Sequence, residues 1–497
     1  MELRGWRLAI RFSAVVAMLG CSLVDWAEHG GNASDAGTDV TSDVTNDAPD
    51  GGAWSCESIT PDPDIQQTLP TIFATDLPPN NHVVPVAASD DLQSKINAAM
   101  PGDVLELEAG ATFTGPFTLP PFSGAGAIVI RTATPDAELA MPGARVSPAL
   151  APKMAKLTAG AKVVSMLNGA GGYRLIGLEI ECTGTGPAVD LGASDVHDVI
   201  FDRIYAHGGS VAVEGQRVAL IDSYVSGATS NWALWVAGAG PTRITNDDIE
   251  SPQGDVSIAQ ASNVEICQNA MTAADPNYGS FQLQGDASNV LIGANVLATT
   301  SGSFMLDEGT QENVTIAYNH TTLLGSGILL GDPMTNVVIH DNLFDSSQAL
   351  NADVMRFYVA SPTANVKVDH NTFTTGLESL LQLTQTDAQN FVFTNNFAPY
   401  GQYGVLGSGG DAGSATGTAA LSTYLGSYTF GHNAIWGAET EQPSYPPNNF
   451  FPAYEQAVGF APDWSLLSTS PYKGMASDGK DIGADIATLT AATMNVQ

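Results

Sequence analysis

The chain has 497 residues, 44% of them hydrophobic and only 14% charged, with 51 glycines. Asp and Glu number 52 against 17 Lys and Arg, a net charge of −35, which excludes nucleic acid and anionic membrane surfaces as partners because phosphate binding needs clustered cations. The same balance disfavours polyanionic sugars unless Ca²⁺ or a local basic patch intervenes.

Residues 1–21 have the layout of an export signal: Arg4, Arg7 and Arg11, an apolar run over 12–19 too short to span a bilayer, then Gly20 and Cys21. Met18-Leu19-Gly20-Cys21 resembles a bacterial lipobox, with Met18 where leucine is usual. The resemblance implies lipidation of Cys21, and Ser22 in place of Asp implies outer-membrane or cell-surface sorting; the alternative is an ordinary secretory signal. Residues 22–55 read as an acidic spacer: 30–53 contain no Lys, Arg or aromatic and cannot bury a core. Residues 56–81 carry the five prolines Pro61, Pro63, Pro70, Pro78 and Pro79 and read as an extended approach segment.

From His82 the pattern becomes regular. Val83–Val86 predicts a strand, and Ser89-Asp90-Asp91 opens a helix running to Met100 with Leu92, Ile96 and Ala99 on one face. Pro101-Gly102-Asp103 predicts a turn, and the alternation from Val104 to Glu108 a strand. A lone amphipathic helix at this place is the expected plug for an open end of stacked strands.

Between Val256 and Tyr400 one unit recurs six times, each ending in a short apolar strand and an asparagine: Asn269, Asn295, Asn319, Asn342, Asn371 and Asn396. The steps are 26, 24, 23, 29 and 25 residues, a period that predicts a solenoid in which stacking units share one core. Carried backwards, the register puts Ile204, Ser223 and Asp247 at the asparagine position. Each unit has an earlier strand as well, and a third would complete a coil of ~25 residues. The asparagines are expected to stack as a structural ladder that satisfies polar groups at a bend.

The stretches "LQSKINAAMPGDVLELEAGATFTGPFTLP", "VIFDRIYAHG" and "VALIDSYVSG" resemble the pectin-lyase-like, right-handed parallel β-helix superfamily, in an uncharacterised bacterial branch. The resemblance implies an all-β, single-stranded right-handed parallel β-helix of about ten coils over 82–400, an N-terminal helical cap, and a loop-rich closing segment at 401–497. Its members are mostly polysaccharide lyases, glycoside hydrolases and depolymerases, but only a site decides function.

With Leu283, Leu306, Leu330, Phe357 and Leu383 inward, the earlier strands turn Gln282, Gln284, Asp307, Arg356, Tyr358, Gln382 and Thr384 outward, with Trp232 or Trp235 higher on the same sheet. Trp235, Gln282, Gln284, Tyr358 and Gln382 are the candidate sugar-binding residues, and Arg356 with Asp307, two coils away, the candidate catalytic pair. Pectate lyases pair a basic residue with Ca²⁺ held by several Asp; calcium is therefore the one cofactor the resemblance raises, and this face shows no multi-Asp cluster to hold it. A second candidate group comprises His340, Asp341, Asp369 and His370, with Lys367 at its edge. It can be an acid–base pair, a divalent-metal site or surface ion pairing. Asp202, Arg203 and His207 form a smaller group of the same kind. Cys182 and Cys267, 85 residues apart, are expected to be free buried thiols, since coils stacked at ~4.8 Å put them ~15 Å apart and a disulfide needs ~7 Å.

The expectation is a monomeric exported protein, touching a membrane only through its lipid, that engages extracellular polysaccharide along one lateral sheet. The enzymatic version is a lyase or, less favoured, a hydrolase; the structural version is a non-catalytic surface protein.

Overall fold

Three short strands per coil wind the chain into a parallel β-solenoid, seen in a computed structural model that describes residues 54–76 and 82–496, apart from 194, 228–231, 275–278, 300–301, 303, 324–326, 332, 346–352, 359–361, 375, 377, 385–386 and 408–414. The export signal, Cys21 and most of the acidic spacer lie outside the described residues. We call the three lateral sheets A, B and C. Sheet A holds the strands that end at the asparagine column, such as Ala287–Gly293 and Gln311–Ala317. Sheet B holds those that follow it, such as Ala270–Ala273 and Val296–Thr299, and sheet C the earlier strand of each unit, such as Phe281–Gln284 and Phe304–Glu308. Thirteen described strands stack in sheet B, so the solenoid has about a dozen turns, more than the ten expected. Twelve of those strands lie before Tyr400, and one further coil follows it, where Val405–Gly407, Tyr428–Gly431 and Ala434–Trp436 continue sheets C, A and B.

The register follows from side-chain alternation. Val264, Val290, Val314, Val337, Val366 and Phe391 pair in line, as do Ile266, Ile292, Ile316, Ile339, Val368 and Phe393, and all are buried. Slipping by one residue would turn every one of them to solvent. At the corner between sheets A and B the chain bends through a left-handed residue, Gln268, Ala294, Tyr318, Asp341, His370 and Asn395 in successive coils, with φ of 58°, 54°, 56°, 53°, 51° and 58°. That conformation costs an L-residue about 1–2 kcal/mol. The asparagine after it offsets the cost: Asn295 Nδ2 donates to Asn319 Oδ1 (3.0 Å) and Ile266 O (3.1 Å), and Asn319 Oδ1 also accepts from Asn295 N (3.0 Å). The ladder runs on through Asn433 and Asn449 above and Asp247 and Ser223 below.

A second ladder occupies the corner between sheets C and A, which the sequence reading passed over. Asn263, Asn289, Asn313, Asn336, Asn365 and Asn390 stand one residue before the inward Val or Phe, each with φ of 54–59°, and link side chain to side chain at 2.9–3.3 Å. Here asparagine itself takes the left-handed position, which its short amide tolerates.

Asp247 is the flaw in the first ladder. Its Oδ1 accepts from Ser223 N at 2.7 Å, but a carboxylate cannot donate onward, and Oδ2 is buried without a hydrogen-bond partner. Burial raises its carboxyl well above the ordinary value. The unfolded chain therefore releases this proton first, so stability is fullest below about pH 4 and falls as pH climbs towards the folded value. Asp247→Asn should stabilise the protein by about 1–3 kcal/mol at neutral pH. The gain should shrink in acid, where Asp247 is itself protonated; an equal gain at both pH values in urea unfolding would contradict this account.

The cap helix spans Leu92–Ala98, with Asp91 accepting from Ser94 N at 3.2 Å and Leu92 and Ile96 buried. It stops short of Met100 because a residue before proline disfavours helical geometry.

The approach segment is not a free lead-in. Cys56 is joined to Cys267 in a disulfide with Cα atoms 6.2 Å apart, correcting the expectation that Cys267 is a free thiol; Cys182 is free and buried. The geometric argument against a Cys182–Cys267 bond holds, but it left Cys56 out of account. Residues 54–76 form a strap over sheet A: Ile59 packs on the coil face, Gln67 donates to Val314 O and Asn336 O, and Phe73 buries against Ile200 and Ala219. The C-terminal segment covers a neighbouring part, with Leu489 and Ile486 packed on Leu343.

Candidate functional site

The His340–His370 group sits between these two coverings. His340 pairs in register with Asp369 as expected, yet the side chains look elsewhere. His340 Nδ1 meets Asp341 Oδ2 at 2.9 Å, while Asp341 Oδ1 accepts from Asp485 N at 3.0 Å. His370 Nδ1 faces Gly483 O (3.2 Å) and its Nε2 faces Asp478 (3.4 Å). Asp369 accepts from Thr394 Oγ1 and Asn395 Nδ2, and Lys367 reaches Asp62 of the strap at 2.8 Å. Burial works to raise the Asp341 carboxyl, but its bonds to His340 and Asp485 N hold it below the ordinary range. A cleft of about 670 Å³ runs along this seam. Asp341 and His370 bind the tail, His340 is paired to Asp341, and Asp369 is held by Thr394 and Asn395 of the next coil. Among the described residues the one trio of metal-ligating atoms within 4.8 Å is Cys56, Glu265 and Cys267, and its sulfurs are already bonded to each other.

On sheet C all five predicted inward residues are buried and the outward row is continuous: Trp235, Ser257, Gln282, Met305, Leu329, Arg356 and Gln382 pair in line. Trp235 is the outward tryptophan, and Trp232 instead lays its ring over Gly254. Arg356 Nε holds Asp353, a buried carboxylate, at 2.6 Å; Tyr358 OH donates to Gln382 Oε1 at 2.5 Å. Burial raises the Tyr358 phenol, which stays protonated. The structure does not bring Arg356 and Asp307 together. A bulge puts Glu308 instead of Asp307 opposite Gln284, and Gln282 Nε2 binds the Asp307 carboxylate at 2.9 and 3.2 Å. Gln284 lies beside Ser257, 3.4 Å from its hydroxyl.

Sheet B carries a group that the sequence reading missed. Its outward residues form two rows, Lys156, Glu179, Tyr205, Tyr224 and Asp248 in one, Thr158, Glu181, His207, Ser226 and Glu250 in the other. His207 does not join Asp202 and Arg203. Arg203 is fully buried against Asp202 (2.8 Å) and Asp136 (3.1 Å), whereas His207 Nε2 meets Glu179 Oε1 at 3.0 Å. Lys156 Nζ reaches the same oxygen at 2.7 Å and Glu181 at 3.4 Å. Burial works against the Lys156 charge, but Glu179 outweighs it and the ammonium titrates above its ordinary value. Tyr205 stacks on the imidazole with centroids 4.5 Å apart and meets Tyr224 edge-on at 5.5 Å. Burial, then the nearby carboxylates, raise both phenols; Tyr224 is also hydrogen-bonded to Glu250. The signal was present as Glu-Ile-Glu, Tyr-Ala-His, Tyr-Val-Ser and Asp-Ile-Glu, triplets with outward ends in strands of three to five residues, but these are too short to register without the coil geometry.

No family model matches the chain, and no curated protein sequence does. Among solved structures it is similar to an alginate lyase from Paenibacillus sp. str. FPU-7, with 13% identity and a TM-score of 0.35, over 60% of this chain and 97% of that one. It is similar to the PL6 family alginate lyase AlyGC, with 11% identity and a TM-score of 0.41, spanning 81% of this chain but only 58% of that one. A third is the GH136 lacto-N-biosidase from Eubacterium ramulus, with 11% identity and a TM-score of 0.40, over 71% and 68%. At such identities and scores these likenesses identify neither a substrate nor a site.

Proposed function

We propose that this chain is an exported protein that engages extracellular polysaccharide along sheet C. The observation that carries the reading is the in-register row from Trp235 to Gln382, partly exposed at Trp235, Met305, Leu329, Arg356 and Gln382 and buried at Ser257 and Gln282, on strands that pack chiefly against one another while sheet A is covered by strap and tail. A sugar chain laid along the solenoid would meet a new side chain every ~4.8 Å. Trp235, Met305 and Leu329 offer apolar surface to ring faces, and Arg356 and Gln382 offer hydrogen bonds to hydroxyls. Binding is favoured over lyase chemistry on this face because Arg356 is locked to Asp353, and Asp307 to Gln282. Export is supported by the basic–apolar leader and by the Cys56–Cys267 bond, which persists in oxidising compartments. Anchoring through Cys21 belongs to the same proposal.

Trp235→Ala and Gln382→Ala suit the test; removing Arg356 would strand the buried Asp353 carboxylate. On an array of extracellular glycans the wild-type chain should bind, and the double variant should bind at least about tenfold more weakly, some 1.4 kcal/mol. Binding that is absent, or indifferent to both substitutions, would remove sheet C from consideration.

A further inference from the structure

The sheet B group has a feature that ion pairing alone does not require. In its second row His207, Ser226 and Glu250 are successive neighbours, so a small side chain separates an imidazole from an exposed carboxylate. Two coil spacings place the two strands ~10 Å apart, close to the separation at which an acid and a base flank a glycosidic bond with room for water. The residues 136–154 pack against Tyr205 and Tyr224, where Leu139, Val146 and Met154 cluster, and Arg145 and Gly143 bind the sheet A–B corner at Asn246 and Asp222. That covering lies over the first row, and His207, Ser226 and Glu250 stay accessible.

The imidazole is held for a task. Glu179, itself buried, fixes Nε2, and the Tyr205 ring fixes the plane, while Nδ1 has no partner among the described residues. A carboxylate on one ring nitrogen stabilises the imidazolium and orients the other nitrogen for proton transfer. The charged and titratable groups around it are Lys156, Glu179, Glu181 and Tyr205; around Glu250 they are Tyr224, Asp248 and Asp255.

We propose that this notch hydrolyses glycosidic bonds, with His207 as general acid and Glu250 as general base. The Nδ1 proton of the His207 imidazolium passes to the glycosidic oxygen as its bond to the anomeric carbon breaks. Glu250 takes a proton from a water whose oxygen forms the new bond to that carbon, with inversion. Solvent then reprotonates His207 and takes the proton from Glu250. Glu179 is a positioning residue. The group sets Glu179, Glu181, Asp248 and Glu250 against two fixed cations, Lys156, already shared by Glu179 and Glu181, and Arg145, which acts on Asp248 from the sheet A–B corner. A polyuronate would be repelled, so the substrate is a neutral or amine-bearing polysaccharide. From the sheet C reading this takes only that the substrate is a polysaccharide.

The test is to incubate the full chain with xylan, mixed-linkage glucan, mannan and chitosan, and with alginate and polygalacturonate. Reducing ends should appear from a neutral or amine-bearing polymer, without unsaturated uronate products. His207→Ala should lose at least about a hundredfold on the polymer yet keep most of its rate on the matching dinitrophenyl oligosaccharide, whose leaving group needs no acid. Glu250→Gln should lose both. Glu179→Gln should lower kcat on the polymer with KM unchanged and spare the dinitrophenyl substrate, a selective loss that a purely structural residue would not produce. All three lie on the outer face of the sheet, and unchanged melting temperatures would show that they fold. The proposal is overturned if no polymer in the panel releases reducing ends, if only unsaturated products form, or if His207→Ala slows both substrates equally. Reducing-end release without glycan-array binding that depends on sheet C would fail the sheet C reading alone, and such binding without any release would fail the sheet B proposal alone, so the two failures are distinguishable.

Discussion

Asn319→Ala should destabilise the protein by about 4 kcal/mol, an effect far larger than its size suggests. Its side chain is fully buried in mid-ladder and bonded in both directions. Alanine would strip the acceptor from Asn295 N and Asn295 Nδ2, both at 3.0 Å, and the donor from Ile292 O at 3.0 Å and Asn342 Oδ1 at 2.9 Å. Each group left unpaired in the core costs about 1–3 kcal/mol, with some relief from relaxation. The left-handed Tyr318 before it would also lose the bonds that offset its conformation. Asn390→Ala, at the exposed end of the other ladder, is the matched control and should cost about 1 kcal/mol, the conformational term alone. Urea unfolding of the two variants checks this, and equal losses would mean that burial of the ladder is not what matters.

Removing the Cys56–Cys267 bond should cost about 3–5 kcal/mol in apparent stability. The bond closes a loop of 211 residues in sequence, for which loop-closure entropy sets an upper value near 5 kcal/mol. Part of the loss should be local, because the strap is otherwise held by a few contacts such as Ile59 on Gly293 and Lys367 on Asp62. The Cys56→Ala, Cys267→Ala double variant, or wild type under reductant, should melt earlier and become open to proteolysis within residues 54–76. An unchanged midpoint together with an intact strap would show that packing alone seats it.

Which parts could be read from the chain, and which could not, follows from range. The asparagine column, the inward Val and Ile positions and the coil length repeat every ~25 residues. Periodicity therefore exposes them without knowledge of any contact. The second ladder was as legible, since an asparagine precedes each of those six inward residues, but a left-handed corner leaves no hydrophobic trace and went unnoticed. Gly293 is a similar silent mark: a Cβ there would lie 2.7 Å from Ile59 and 3.0 Å from the Cys56 sulfur, so the gap in the apolar strand is the seat of the strap.

The sequence by itself determined the solenoid, its register and the inward positions of two strands per coil in the repeated region, because each coil buries its apolar residues only when stacked in line on the next. Only the tertiary structure decided which outward groups are free to act. The strap and the tail come from opposite ends of the chain and obey no period, yet they occupy sheet A and bind Asp341, Lys367 and His370. On the third sheet, strands of three to five residues bring Glu179, His207 and Glu250 together across coils, an arrangement set by stacking distance and invisible along the chain.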